Sequence, residues 1–279
     1  RIPMLLMLRL LATTLLLSSF IYADTSDKIE DFLSNQFSKN TRLKSVDVSI
    51  DSKMPLEDLK GWDAYIVNIK AVLKNKPEQV IEQKMVWFSN GTVVTKDLTD
   101  LHSGDNYADL IKPDFKNKYY TKENLIYGDE NAKHKIAIFS DPLCPFCKSF
   151  VPAALKDMQK EPNKYAVYYY HLPLERIHPA SVALVRIAQA AQLQGVKDVI
   201  IKMYSIQLNP VEKDINIILA AFNKAVGSDI KLSDIKTKKV EEQVHFDSKV
   251  ANDIMVGGTP TIYIDGKIDR TKNKYKKVK

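Results

Sequence analysis

Apart from a single pair, Cys144 and Cys147, the chain has no cysteine. Secreted domains that depend on disulfides carry several cysteines, scattered so as to close long loops. A bond between Cys144 and Cys147 closes almost nothing and restrains the unfolded chain very little. A cysteine-stapled scaffold is therefore excluded, and chemistry is the better reason for the pair. Zinc is excluded as well, because a structural site needs four ligands and there is no second close pair. The histidines at 102, 134, 171, 178 and 245 stand apart from one another. Long apolar runs are missing beyond the N-terminal stretch, so no later segment reads as membrane-spanning. Positive charge is thinly spread: 41 Lys and Arg face 34 Asp and Glu, a formal charge of +7. The one dense basic cluster, Lys272 to Lys279, reads as a solvated end, and nucleic acid is not expected as a partner. No internal repeat or low-complexity tract is present, and no metal, nucleotide or organic cofactor is implied.

The exception among the apolar runs is Met4 to Tyr22, MLLMLRLLATTLLLSSFIY. Arg1 and Arg9 give it a positive start, and it ends at Ala23 before the polar Asp24-Thr25-Ser26-Asp27. That is the layout of a secretory signal peptide over residues 1–23, cleaved near Ala23. The alternative is an uncleaved anchor, for which the run is barely long enough. Export is the expectation.

Residues 24–115 read as a small α+β domain. Ile29, Phe32, Leu33 and Phe37 recur at helical spacing, whereas Val46–Ile50 and Tyr65–Ile69 alternate as strands do. Val80–Phe88 runs into Ser89-Asn90-Gly91-Thr92 and then Val93-Val94. Asn-Gly between apolar runs is a hairpin signal. The region carries no clustered catalytic residue types, and its expected role is structural. Residues 116–130, rich in Lys, Asn, Tyr and Glu, read as a linker ending in the turn Gly128–Asn131.

Residues 131–279 read as an α/β domain. Lys135–Phe139 is a strand, followed by the cysteine turn and a helix to about Lys160. Lys164–Tyr170 is a second strand, and Pro179 to about Met255 is mostly helical, broken at Gly195, Pro210 and Gly227. Gly257-Gly258-Thr259-Pro260 leads into Thr261–Ile264, the turn Asp265-Gly266, and Lys267-Ile268. This order suits a sheet with helices packed on it.

Pro145 is favoured at the first position inside a helix, where its missing N–H is not needed. Cys144 is then the N-cap, facing the free N–H groups of Phe146 and Cys147. Its sulfur is expected at the positive end of the helix dipole, which favours thiolate. Cys147, one turn in, is placed to attack a mixed disulfide on Cys144. The expectation is one exposed, activated cysteine and one resolving cysteine.

The stretch Phe139-Ser-Asp-Pro-Leu-Cys-Pro-Phe-Cys-Lys-Ser-Phe-Val-Pro152 resembles the active-site strand, turn and helix of the thioredoxin superfamily. Pro152 fills the place of that family's proline five residues after the second cysteine. Gly257-Gly-Thr-Pro-Thr-Ile-Tyr-Ile264 is similar to its second hallmark, a cis-proline loop before a strand, with Pro260 as the cis candidate. The whole layout resembles the bacterial periplasmic disulfide isomerases of the DsbC/DsbG group, specifically over about 134–152 and 256–266 and only in architecture over 24–130. The resemblance implies a thioredoxin-like α/β catalytic domain with a helical insertion, preceded by a small α+β, cystatin-like dimerisation domain. It implies Cys144 and Cys147 as catalytic residues, with Thr259, Pro260, Pro145 and Phe146 against the substrate chain. It further implies a V-shaped homodimer in the periplasm, misoxidised or unfolded exported proteins as clients, and a membrane redox partner that recycles the cysteines. A disulfide isomerase or reductase is the leading expectation. A dithiol oxidase of the DsbA kind and a holdase chaperone stay open.

Two departures from the pattern stand out. The place six residues before the first cysteine, where many relatives hold a buried carboxylate that assists proton transfer, is Ile138. Asp141, Glu130 and Lys135 are the substitutes suggested by proximity. Pro145-Phe146 also lacks the histidine of strongly oxidising relatives, so a milder potential is expected. Among the remaining residues, His134 and His171 read as strand-end or surface histidines, and Tyr168–Tyr170 as alternating between core and surface. Met203, Met255 and Trp87 read as core, whereas Phe146 reads as exposed.

Overall fold

A computed structural model describes residues 24–278, so the expected signal peptide lies outside the described residues. The chain divides into two compact units, the first over residues 24–82 and 87–96, the second over residues 83–86 and from Asp97 onward.

The first unit opens with α1 (Thr25–Ser38) and continues through β1 (Leu43–Pro55), β2 (Asp63–Leu73), β3 (Lys76–Ser89) and β4 (Val94–Thr95). The strands form one sheet in chain order, with β1 antiparallel to β2 and β3 antiparallel to β4. Ile29 and Leu33, one helical turn apart, are the buried positions of α1, which packs on β1. Phe32 stays exposed. The Asn-Gly hairpin forms as read, with Gly91 at φ 88° and Asn90 Oδ1 accepting from the N–H groups of Thr92 and Val93. Trp87 is half-buried rather than core.

The second unit is built on a five-stranded sheet of order β5 (Leu125–Tyr127), β7 (Tyr165–His171), β6 (His134–Ser140), β8 (Thr261–Ile264) and β9 (Lys267–Ile268). β6 and β7 are parallel and joined by α3 (Pro145–Gln159); the other neighbours are antiparallel. A parallel pair needs such a crossover, because a tight turn cannot reverse the chain twice. The helical insertion comprises α4 (Pro179–Leu193), α5 (Val199–Met203), α6 (Ile215–Val226) and α7 (Lys238–Asp253), with the four-residue α2 (Tyr107–Leu110) earlier in the chain.

Both faces of this sheet are covered. Ile136, Ile138, Val167, Tyr169 and Ile262 point into one core with α3, α4, α5 and α6. Ala137, Phe139, Tyr168, Tyr170 and Tyr263 point into a second core with Phe115, Tyr119 and the end of α7. The period-2 alternation of a strand sends neighbours to opposite faces, but here both faces are interior. Tyr168, Tyr169 and Tyr170 are consequently all buried, which corrects the expected alternation between core and surface.

Residues 116–130, expected as a linker, and residues 97–115, expected in the first domain, belong to the second unit. Phe115 and Tyr119 are buried in its core, Tyr170 donates from its hydroxyl to the Tyr119 carbonyl, and β5 pairs with β7. A three-residue strand is too short for a periodic signal, so the sequence pattern there resembles a connection. Gly128 ends β5 at φ 78°, and a Cβ on it would lie 1.9 Å from the Tyr165 carbonyl oxygen. Gly128→Ala is expected to destabilise the second unit by about 2 kcal/mol, measured by urea unfolding.

Asp247 of α7 is buried and accepts from Asn124 Nδ2, Gln243 Nε2 and the His171 N–H. Burial outweighs these donors and pushes its carboxyl up to about 7. An acid raised on folding supports stability most fully below its unfolded pKa, and that contribution is lost as pH rises through the folded value. The unfolding free energy is therefore expected to fall between about pH 4 and pH 7, with a flatter profile in Asp247→Asn.

Candidate active site

The two cysteines sit where β6 hands over to α3. Cys144 is the N-cap of α3, in extended conformation, and Pro145 is the first helical residue. The Cys144 carbonyl accepts the first helical bond, from the Lys148 N–H at 2.9 Å. Both cysteines are free thiols.

The turn before the helix is held by Asp141, whose carboxylate is fully buried. Its Oδ1 accepts from the Leu143 N–H at 2.7 Å, the Cys144 N–H at 3.1 Å and Ser181 Oγ at 2.7 Å. Its Oδ2 accepts from the Leu174 N–H at 2.7 Å and meets His178 Nδ1 at 3.2 Å. A buried carboxylate is tolerated only when its lone pairs are met. Here the donors come from the cysteine turn, from the segment after β7 and from the start of α4, so one side chain fixes Cys144 to the helical insertion.

The Thr259–Pro260 peptide bond is cis. The preceding carbonyl, Thr259 O, lies 3.7 Å from Cys144 Sγ, and Thr261 Oγ1 donates to Gly258 O at 2.7 Å to hold the loop. Thr259 and Pro260, far from the cysteines in sequence, are thus brought to them. Phe146, between the cysteines, is 75% exposed.

Cys144 departs from expectation in two respects. It is only 4% exposed, and its side chain makes no capping hydrogen bond to the helix N–H groups. The sulfur lies instead against the Thr259 carbonyl of the cis-proline loop.

Cys147 is fully buried in the core formed by α3, α4 and β6. Burial pushes its thiol up to about 11, and the Cys144 sulfur adds to the rise. The Ser140 hydroxyl, the Thr259 hydroxyl and the Asp141 backbone N–H act in the opposite direction. Behind Ser140 lies Tyr204, hydroxyl to hydroxyl at 2.6 Å, and behind that Tyr169 at 2.7 Å.

Sequence reasoning missed Ser140, Tyr169 and Tyr204. Ser140 lay within the motif but carried no signal of its own, and Tyr204 reaches it across sixty-four positions of chain. Of the proton-transfer substitutes, Asp141 is a positioning residue for the turn. Glu130 is exposed, and Lys135 lies over the Tyr120 ring. His134 pairs with Asp265 at 2.8 Å at the start of β6. His171 stands at the end of β7 as read but is not at the surface: it is buried, and burial lowers its pKa to about 4, so it is neutral. Met203 is core, and Met255 is half-buried. Among the described residues, no group of His, Cys, Asp and Glu is arranged to hold a metal ion.

Residues 120–279 match the family model described as Thioredoxin. The chain belongs to the thioredoxin family. Within this thioredoxin domain the cysteine turn, the cis-proline loop and the sheet are the elements described above. A curated relative, the Na(+)/H(+) antiporter NhaA 1 of Mycolicibacterium gilvum, is 28% identical over 151 residues, which cover 52% of this chain and 24% of that protein. The chain thus spans about a quarter of the length of the curated relatives it matches. Among the described residues, no helix is long and apolar enough to cross a membrane. Similar solved structures include oxidised BdbD from Bacillus subtilis, at 18% identity and a TM-score of 0.46, covering 60% of this chain and 92% of that one. Proteus mirabilis ScsC in a compact conformation is 21% identical with a TM-score of 0.44, covering 54% and 73%.

With Cys144 replaced by Ala, the Cys147 thiol is expected to ionise near 11 or slightly below, read from its β-carbon NMR shift against pH. A midpoint near the ordinary cysteine value, about 8.5, would mean that the site is open to water.

Proposed function

We propose that this chain is a thiol-disulfide oxidoreductase acting on exported proteins, with Cys144 as nucleophile and Cys147 as resolving thiol, and that it works as a disulfide isomerase or reductase. One observation carries the reading: the two thiols of a thioredoxin-family domain are set in unequal places. Cys144 is the N-cap residue of α3, almost buried with its sulfur against the Thr259 carbonyl of the cis-proline loop, whereas Cys147 lies one turn further in and is fully buried.

The attacking form is the thiolate. Cys144 attacks a wrong disulfide in a client, forming a mixed disulfide and releasing one client thiolate. If another client thiol then attacks that mixed disulfide, Cys144 is regenerated and the client bond has moved with no net oxidation. If Cys147 attacks first, the client leaves reduced and the chain is left with a Cys144–Cys147 disulfide. A redox partner in the membrane would have to reduce it again. Phe146, Pro145, Thr259 and Pro260 are the residues proposed to meet the client chain, Phe146 through its apolar ring and the Thr259–Pro260 loop through its backbone.

The location follows from the reading of residues 1–23 as a signal peptide, which makes the periplasm the proposed compartment. Dimerisation through the first unit, in the manner of the DsbC/DsbG group, is proposed on the resemblance alone. Sedimentation of the exported chain as a dimer would support it.

The deciding assay is recovery of activity from scrambled, fully oxidised ribonuclease. Rapid recovery is expected from the parent, and Cys144→Ala is expected to fall to the uncatalysed rate. No recovery with the parent, combined with fast oxidation of reduced ribonuclease, would replace the isomerase reading by a dithiol oxidase. No recovery of scrambled ribonuclease by the parent, combined with suppression of client aggregation that is unchanged in Cys144→Ala, would leave a holdase.

A further inference from the structure

The strand position where a carboxylate could assist Cys147 is Ile138, whose side chain belongs to the apolar core. A row of hydroxyls occupies the neighbourhood instead. The Ser140 hydroxyl opposes the rise that burial gives the Cys147 thiol, Tyr204 OH is 2.6 Å from Ser140 Oγ, and Tyr169 OH is 2.7 Å from Tyr204 OH and also interacts with Ser140. They come from the end of β6, the turn after α5 and the middle of β7, and all are buried. Thr259 Oγ1 is also buried, has no aligned hydrogen-bond partner, and faces the same sulfur.

Three hydroxyls in a row carry three protons. When Tyr169 donates to Tyr204 and Tyr204 to Ser140, the Ser140 proton is left for the sulfur. Burial pushes both tyrosines far above their ordinary pKa, so the row stays neutral and acts by donating. Hydrogen bonds to a charged acceptor are about twice as strong as neutral ones, and in a dry interior each donor polarises the next.

We propose that Tyr169, Tyr204 and Ser140 form a directed chain of hydroxyl donors that stabilises the Cys147 thiolate during resolution, in the place of a buried carboxylate. This rests on the reading of Cys147 as the resolving thiol. In the step itself, the Cys147 thiolate attacks Cys144 Sγ, and its proton ends on the client sulfur that leaves. The Cys144–client S–S bond breaks as the Cys144–Cys147 bond forms. The client sulfur leaves with the electron pair and takes up a proton. The client is reduced by two electrons and the cysteine pair is oxidised by two. Ser140 and the tyrosines are positioning residues here, since none exchanges a covalent bond.

The test uses the aromatic disulfide of Ellman's reagent in stopped flow and needs no client protein. Attack by Cys144 releases one coloured thiolate, and resolution by Cys147 releases the second. Ser140→Ala is expected to slow the second release about tenfold, as loss of one hydrogen bond to a charged group does, and to leave the first unchanged. Tyr204→Phe and Tyr169→Phe are each expected to slow the second release by a smaller factor than Ser140→Ala, and either serves should the other fail to fold. As a spectroscopic readout, the Cys147 β-carbon titration in the Cys144→Ala background should move to higher pH in Ser140→Ala and in Tyr204→Phe. In that background the titratable neighbour Cys144 is gone, and the Asp141 carboxylate, tied to the turn and to α4, is common to every variant. Equal slowing of both releases, or an unchanged second release with an unmoved titration, overturns the hydroxyl chain. A parent that releases only one thiolate overturns it too, but through the resolving role of Cys147 on which it rests.

Discussion

A carboxylate removed from water must be given donors, and Asp141 receives them from the cysteine turn, from the segment after β7 and from the first turn of α4. The cysteine turn and the start of α4 already share one apolar core through Leu143, Cys144, Ala180 and Leu184, and the penalty of leaving Asp141 unsatisfied in a dry interior ties them further. The helical insertion is therefore more than a cover for one face of the sheet. It supplies Ser181 and His178 to the turn and Tyr204 to the floor of the site.

The sheet imposes a second constraint. With β6 at its centre, flanked by β7 and β8, the side chains from Ile136 to Ser140 are interior, and the last of them, Ser140, acts on the Cys147 thiol. The site is then unsymmetrical by construction. One thiol sits under a loop carbonyl next to an exposed ring, and the other is embedded among apolar side chains with only hydroxyls and one backbone N–H to meet it. In such surroundings a charge is tolerated only where donors have already been placed, so the chemistry of the buried sulfur is governed by its neighbours more than by the helix that carries it.

Much of this was legible in the chain. The compact apolar run Lys135–Phe139, the proline after Cys144 and the run Thr259-Pro260-Thr261 are local signals, each resting on a short apolar stretch or on a fixed backbone preference. The hairpin at Asn90-Gly91 is of the same kind. The reading failed where a local pattern had two meanings. Tyr168–Tyr170 look half-exposed until both faces of the sheet are known to be covered, and residues 116–130 look like a connection until β5 is seen to pair with β7.

Local patterns carried the frame and a candidate pair of reactive thiols: two cysteines one helical turn apart at a proline-marked helix start after a strand, with a Thr-Pro loop before another strand. The environment of each sulfur is set by residues distant in the chain. Cys144 faces the Thr259 carbonyl in place of its own helix N–H groups, Asp141 anchors the turn, and Tyr204 stands behind Ser140. The physical reason is distance along the chain. Helical and strand periodicities report on neighbours a few residues apart, whereas a hydrogen bond between positions 140 and 204 exists only after the sheet and the insertion have closed around it.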